Sequence, residues 1–281
     1  METGVKGVQV FRATQPIPCA PAVYEPSVIA IVSGSKEAIL NGQSFVYDDN
    51  RYLCCPMAMP VRAGTPAASP DNPLYGVYIS LDQRMMTELA MEMDRVGGVV
   101  GSNKGHPTAQ GIVLADWDEA FSDALLRLLK LDSSPSDAAV LGQTRLRELY
   151  YAILKGEAGY FARQAFSVGN AIARSISHVS SNLNQPVSID DMAAHAGMSR
   201  AVFHRKFKDV TTMSPIQFVK SMRLSSAAMK IATGMTVNEA AMDVGYVSAS
   251  QFSREFKRMY GKSPRQWCNI QQLPEKAAYV Q

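Results

Sequence analysis

The decisive stretch of this chain occurs twice. The first copy reads Ile189-Asp190-Asp191-Met192-Ala193-Ala194-His195-Ala196-Gly197-Met198-Ser199, then Phe203, Arg205, Phe207, Lys208 and Ser214-Pro215-Ile216-Gln217-Phe218. The second reads Val237-Asn238-Glu239-Ala240-Ala241-Met242-Asp243-Val244-Gly245-Tyr246, then Phe252, Arg254, Phe256, Lys257 and Ser263-Pro264-Arg265-Gln266-Trp267. From phenylalanine to phenylalanine to Ser-Pro, both copies step by four and then seven residues. One helix–glycine–helix pattern is common, whereas an internal repeat of this kind marks a duplicated structural unit.

Each copy has the grammar of a helix-turn-helix. Ser188 and Thr236 are candidate N-caps, with Asp191 and Glu239 three residues later to complete a capping box. Ala193 and Ala241 let two helices approach closely, and Gly197 and Gly245 supply the left-handed turn residue. Phe203 with Phe207, and Phe252 with Phe256, anchor the second helix of each copy. The opposite face is then free to present Arg200, Ala201, His204, Arg205 and Lys208, or Ala249, Ser250, Gln251, Ser253, Arg254 and Lys257. A helix that enters a major groove needs such a polar and basic face aimed at base edges. Arg205 and Arg254 suit contact with guanine or phosphate, while Ala201 and Ala249 offer only methyl contacts to thymine. His195 is expected to be structural or to face phosphate, and His178 to face solvent.

Working outward, Ile216–Ala232 reads as a helix joining the copies, with Phe218, Met222 and Met229 as core. Its length would set the two motifs about one DNA turn, ~34 Å, apart. Val168, Ile172, Ile176 and Val179 predict a helix that opens this region. The net charge of +3 divides unevenly along the 281 residues. Residues 1–167 hold 14 Lys and Arg against 18 Asp and Glu, and residues 168–281 hold 14 against 7. An acidic portion of −4 joined to a basic portion of +7 points to a polyanion partner for the latter alone.

The first 82 residues read as strands and turns. Val28–Val32, Ala38–Leu40, Phe45–Tyr47, Arg51–Cys55 and Tyr75–Leu81 are short apolar runs, and Asn41-Gly42 predicts a tight hairpin. Gly64–Pro73 reads as a loop. Beyond Asp82 the period becomes helical. Asp82–Asp94 is a helix; Trp117, Phe121, Ala124, Leu125 and Leu128 mark a second, and Leu141, Leu149, Tyr150 and Ile153 a third. These stripes suit packing on the sheet or a dimerisation surface equally.

Several classes are excluded. No run of ~18 apolar residues exists to span a membrane, and the N-terminus carries no signal-peptide core, so a cytoplasmic protein is expected. The segment before residue 170 contains one histidine, His106, which speaks against a metal cluster there. Gly101-Ser102-Asn103-Lys104-Gly105 is only superficially a phosphate loop. Gly261-Lys262-Ser263 has Phe256 where a Walker glycine would stand. No G-x-S-x-G elbow occurs. Neither an enzyme nor a cofactor is indicated. The cysteines Cys19, Cys54, Cys55 and Cys268 have no C-x-x-C spacing; Cys54 and Cys55, on opposite faces of one strand, are the candidate sensor thiols.

Residues 170–268 resemble the AraC/XylS family of bacterial transcription regulators. The resemblance rests on the double motif, Arg223 with Ala227, Val244-Gly245-Tyr246, Phe252-Ser253-Arg254-Glu255-Phe256-Lys257, and Tyr260-Gly261-Lys262-Ser263-Pro264. One departure is Cys268, where the family often places arginine after the aromatic residue. The first 165 residues are similar, less specifically, to the regulatory modules of that family. The resemblance implies an α+β two-domain chain. A small cupin-like β-barrel over about 5–82 would be followed by helices over 82–165. An all-α DNA-binding domain would cover 168–270, with motifs at 188–208 and 236–258, a connecting helix at 215–233, and a tail at 271–281. It further implies double-stranded operator DNA and RNA polymerase as partners, a homodimer, and a small apolar or amphipathic effector in the barrel. Two alternatives stand beside this: thiol sensing at Cys54 or Cys55, and an enzyme domain fused to a DNA-binding tail.

Overall fold

The hairpin at Asn41-Gly42 forms as its residues demand. Both occupy positive φ, 49° and 83°, the conformation of a type I′ turn. In the computed structural model, which describes residues 3–96, 111–167 and 169–271, this hairpin is one corner of a two-sheet module. The strands are β1 (Val8–Ala13), β2 (Ile17–Tyr24), β3 (Ser27–Ser33), β4 (Lys36–Leu40), β5 (Gln43–Tyr47), β6 (Arg51–Cys55), β7 (Met59–Thr65), β8 (Leu74–Ser80) and β9 (Val113–Asp116). They form an antiparallel sheet in the order β1-β8-β3-β6-β9 and a second in the order β2-β7-β4-β5.

Four of these strands, β1, β2, β7 and β9, are absent from the sequence reading. β2 carries Pro18 and Pro21, tolerated because it is an edge strand. β7 includes Gly64, inside the stretch expected to be a loop. A Cβ there would meet the Ile17 carbonyl oxygen at 2.5 Å, so glycine permits the close approach of β2 where its register shifts. β9 corrects the expectation that strands end at residue 82: Val113–Asp116 returns to pair with β6 after the first helix.

The helices after the sheets are α1 (Gln83–Arg95), α2 (Glu119–Leu129), α3 (Pro135–Lys155) and α4 (Gly159–Phe166). Asp82, Asp118 and Ser134 cap the first three. Proline at the first position of α3 gives up an N–H that would have no helical partner. Phe121, Ala124, Leu125 and Leu128 are buried, and the Phe121 ring stacks on Tyr52 of β6 at 4.1 Å and 13°. The stripe of α2 therefore packs on the five-stranded sheet. Leu141, the first residue of the stripe that marks α3, is 39% exposed, whereas Leu149, Tyr150 and Ile153 are buried. Tyr150 of α3 donates to the Ser80 carbonyl and accepts the Asp82 N–H at 3.2 Å, fastening α3 over the junction of β8 and α1.

Seven helices follow: α5 (Ala171–Ser181), α6 (Ile189–His195), α7 (Arg200–Thr211), α8 (Pro215–Ala232), α9 (Val237–Asp243), α10 (Ala249–Tyr260) and α11 (Pro264–Gln271). One continuous core runs from the sheets into α5–α7 and the first half of α8, ending at Phe218, Val219 and Met222. A separate core holds the second half, from Leu224, Ala227, Ala228 and Ile231 to α9 and α10. Met229, expected inside the C-terminal core, instead meets β2, where its Sδ accepts the Val23 N–H at 3.2 Å. Among the described residues, no helix is long and apolar enough to cross a membrane. The expected Val168, His106 and Gly101–Gly105, together with most of the tail, lie outside the described residues.

Candidate nucleic-acid interface

Each motif is built on its phenylalanine pair. Phe203, Phe207, Phe252 and Phe256 are fully buried, with Phe207 edge-on to Phe218 of α8 and Phe256 edge-on to Tyr260. Ala193 and Ala241 are buried beside them. Gly197 and Gly245 adopt φ of 63° and 83° at the turns. Their surroundings differ: a Cβ on Gly197 would meet nothing within 4 Å, whereas on Gly245 it would lie 2.8 Å from the Leu183 carbonyl oxygen.

The caps differ as well. Thr236 and Glu239 form the full capping box, the Glu239 carboxylate accepting the Thr236 N–H at 3.1 Å. Ser188 accepts the Asp191 N–H at 3.0 Å, but Asp191 turns its carboxylate to the Ser188 hydroxyl instead. The capping box of the first copy is therefore incomplete, consistent with an aspartate side chain one methylene shorter than the glutamate of that motif.

The two second helices, α7 and α10, carry the residues expected to read DNA. Ala201, His204, Arg205 and Lys208 are exposed on α7, and Ala249, Ser250, Gln251, Arg254 and Lys257 on α10. Arg205 and Arg254 each stand two residues from both phenylalanines of their helix, hence on the far side from the core. Arg200 is exposed but turned back to α6, pairing with Asp190 at 3.3 Å. Ser253 is half-buried and belongs to the flank of α10. His195 is exposed and stacks on His178 of α5 at 5.3 Å and 17°, a contact the sequence did not suggest.

Sequence reasoning also missed a network behind α10. Glu255 accepts from the Tyr246 hydroxyl at 2.8 Å, from Lys220 of α8 at 3.2 Å and from the Gln251 amide at 3.5 Å. Burial works against its carboxylate, but these hydrogen bonds outweigh it and hold it below the usual carboxylate range. Arg223, quoted above only as part of a resemblance, donates to the Gln185 carbonyl at 2.7 Å and so ties α8 to the loop after α5.

In the two-sheet module, Lys36 shares a face of β4 with buried Ala38 and Leu40 and pairs across to buried Tyr47. Its amine lies over the Phe11 ring, 5.5 Å from the centroid, and burial lowers its pKa to about 8. No carboxylate pairs with it among the described residues. Hydrophobic patterning gave no signal for an inward lysine. The thiols change the picture drawn from sequence. Cys54 and Cys55 are both buried, and burial pushes Cys54 up to about 12 and Cys55 well above its ordinary value. The Cys55 thiol donates to the Met57 carbonyl at 3.0 Å. Neither offers the accessible thiolate that a sensor needs.

Comparison with known proteins is consistent across both parts. Residues 4–161, more than half of the chain, match the family model of the AraC-type transcriptional regulator N-terminus, and residues 192–269 match a helix-turn-helix domain. The chain is 42% identical over 81 residues to the HTH-type transcriptional regulator MtrA of Neisseria gonorrhoeae, covering 28% of this chain and 27% of MtrA. It is 33% identical over 90 residues to the regulatory protein SoxS of Escherichia coli K12, covering 32% of this chain and 84% of SoxS. The fold is similar to that of Vibrio cholerae ToxT bound to an unsaturated fatty acid, with a TM-score of 0.59 at 14% identity over 96% of this chain and 97% of that one. A second ToxT structure, bound to (E)-4-(8-methylnaphthalen-1-yl)but-3-enoic acid, has a TM-score of 0.59 at 16% identity, covering 95% of this chain and 100% of that one.

Proposed function

The chain belongs to the AraC-type transcriptional regulators, and we propose that it reads an operator with two helices, α7 and α10, under control of an acidic, largely apolar effector. The observation that carries the DNA half is the pair of exposed arginines, Arg205 and Arg254, each centred on a helix whose other side is fixed by buried phenylalanines. One helix, α8, joins the two, so both heads would enter successive major grooves on one face of the duplex. Residues 168–270 form the DNA-binding domain in this reading and residues 1–165 the regulatory one. Direct reading falls to Arg205, Arg254, His204, Ser250 and Gln251. Arg200, Lys208, Lys257 and Ser253 contact the backbone, and Ala201 and Ala249 meet thymine methyls.

Lys36 supports the effector half. An amine held over an aromatic ring, with no carboxylate partner among the described residues, is a seat for an anionic head, and the Val- and Tyr-rich strands around it suit an apolar body. ToxT, which shares the fold, has been seen with two carboxylic acids of that description. The protein would act in the cytoplasm as a homodimer, through the exposed apolar residues Leu126, Val140 and Leu141 of α2 and α3, and would contact RNA polymerase at its promoters.

The test is a titration of operator binding against salt. Lys and Arg that neutralise phosphates release counterions, so log affinity should fall steeply and linearly with log salt. A flat dependence would remove the nucleic-acid reading. Dodecanoate should shift the operator affinity of the wild type and leave that of Lys36→Met unmoved.

A further inference from the structure

Glu255 stands on the inner flank of α10 with three donors around it. Tyr246, in the turn before α10, and Lys220, on α8, come from outside the helix and fix the carboxylate in place. Gln251 lies one turn earlier on α10, and its Nε2 approaches Glu255 Oε1 at 3.5 Å. A carboxylate only accepts hydrogen bonds, so the Gln251 amide can face it with its NH2 end alone. The carbonyl oxygen is thereby the end of the amide that Glu255 leaves free, on a residue that is itself exposed. The first head has no such device: 49 residues earlier, the equivalent positions are Val202 and Lys206.

The proposal rests on α10 lying in a major groove. We infer that Glu255 is a positioning residue for base recognition, holding Gln251 so that its carbonyl oxygen selects a base with an exocyclic amine. Adenine N6 and cytosine N4 present that donor in the major groove, whereas guanine O6 and thymine O4 present acceptors. The second N–H of the same amide remains available for adenine N7, which favours adenine over cytosine. The two heads therefore differ in what fixes their base preference: a held amide in the second, the arginine and histidine of α7 in the first.

The test uses the full-length chain and a randomised double-stranded DNA library. The wild type should enrich adenine, then cytosine, at one position of the second half-site. Gln251→Ala should lose that preference at that position alone. Glu255→Gln, whose amide can donate as well as accept, frees Gln251 to turn over and should admit guanine and thymine there. Lys220→Met separates this from simple loosening, because it breaks the same ion pair yet leaves the anion facing Gln251; its preference should persist. Replacing the selected adenine by purine, which lacks the N6 amine, should weaken the wild type about three- to tenfold and leave Gln251→Ala unmoved. An unchanged base profile in Gln251→Ala, or a uniform loss in Glu255→Gln with the profile intact, overturns the inference. A wild-type selection that enriches no sequence at all removes the DNA reading itself, and this inference with it.

Discussion

The backbone N–H of Val23 donates to Sδ of Met229 at 3.2 Å, so the edge strand β2 closes onto the helix that joins the two helix-turn-helix motifs. An uncovered edge offers free N–H groups to any passing strand, and here the connecting helix covers it. Thioether sulfur is a weak acceptor, so much of the contact is packing. Met229→Ala should cost about 1–2 kcal/mol, less than a fully buried methionine would, and the Val23 amide should exchange faster with solvent. Hydrogen exchange on the two proteins checks this; an unchanged Val23 rate would show that α8 gives that strand no protection.

The two turn glycines should respond unequally to alanine. Both sit at positive φ, which costs an alanine about 1–2 kcal/mol. At Gly197 that strain is the whole effect, since the added methyl group enters open space. At Gly245 the methyl group would also press on the Leu183 and Asn184 carbonyl oxygens, backbone atoms that cannot swing aside. Gly245→Ala should therefore lower the melting temperature more than Gly197→Ala and should damage binding at the second half-site first. Equal shifts would contradict the difference in their surroundings.

Lys36 links stability to pH in a definite direction. Its folded pKa, about 8, lies below its ordinary value of 10.5, so folding opposes the charged form. The penalty is fully present below pH 8 and fades as pH rises toward 10.5, where the unfolded chain also releases the proton. Lys36→Met should accordingly be more stable than the wild type at pH 7, by about 1–3 kcal/mol, and the two should converge above pH 10.5. Denaturant melts across that range measure the difference, and a gap independent of pH would place the amine in water.

Arg205 and Arg254 should lose specificity when truncated, whereas Lys257 should lose only affinity. A bidentate arginine–guanine pair discriminates by about 1–3 kcal/mol, so each Arg→Ala variant should bind its best site that much more weakly and tolerate substitutions at the base it reads. Lys257→Ala should weaken all sites alike and reduce the salt slope by about one. Competition binding at two salt concentrations separates the two patterns.

Much of this molecule is legible in its sequence. The repeat placed all four phenylalanines and both turn glycines, because each does the same physical task twice. Short apolar runs, the Asn41-Gly42 turn and one period-two stretch found β3, β4, β5, β6 and β8. They missed β1 and β9, and failed at β2 and β7, where Pro18, Pro21 and Gly64 meet an edge and a bulge that only the partner strand explains. The candidate site was legible where one helix face decided it, as at Arg205 and Arg254. It was hidden wherever a side chain answers to a distant element, as Glu255 does to Lys220, Met229 to Val23, and Lys36 to Phe11.

Within α8, Met222 closes one core and Leu224 opens the next. A single helix thus has its first half packed with α5–α7 in the core that continues from the sheets and its second half in a core of its own with α9 and α10, while Met229 holds that second half against β2. Cooperative units in a protein follow such core boundaries. The distal head can then melt, be cleaved or be displaced while the proximal head keeps its grip. On its operator the molecule would have two grades of attachment, and losing the outer one need not end its stay on the duplex.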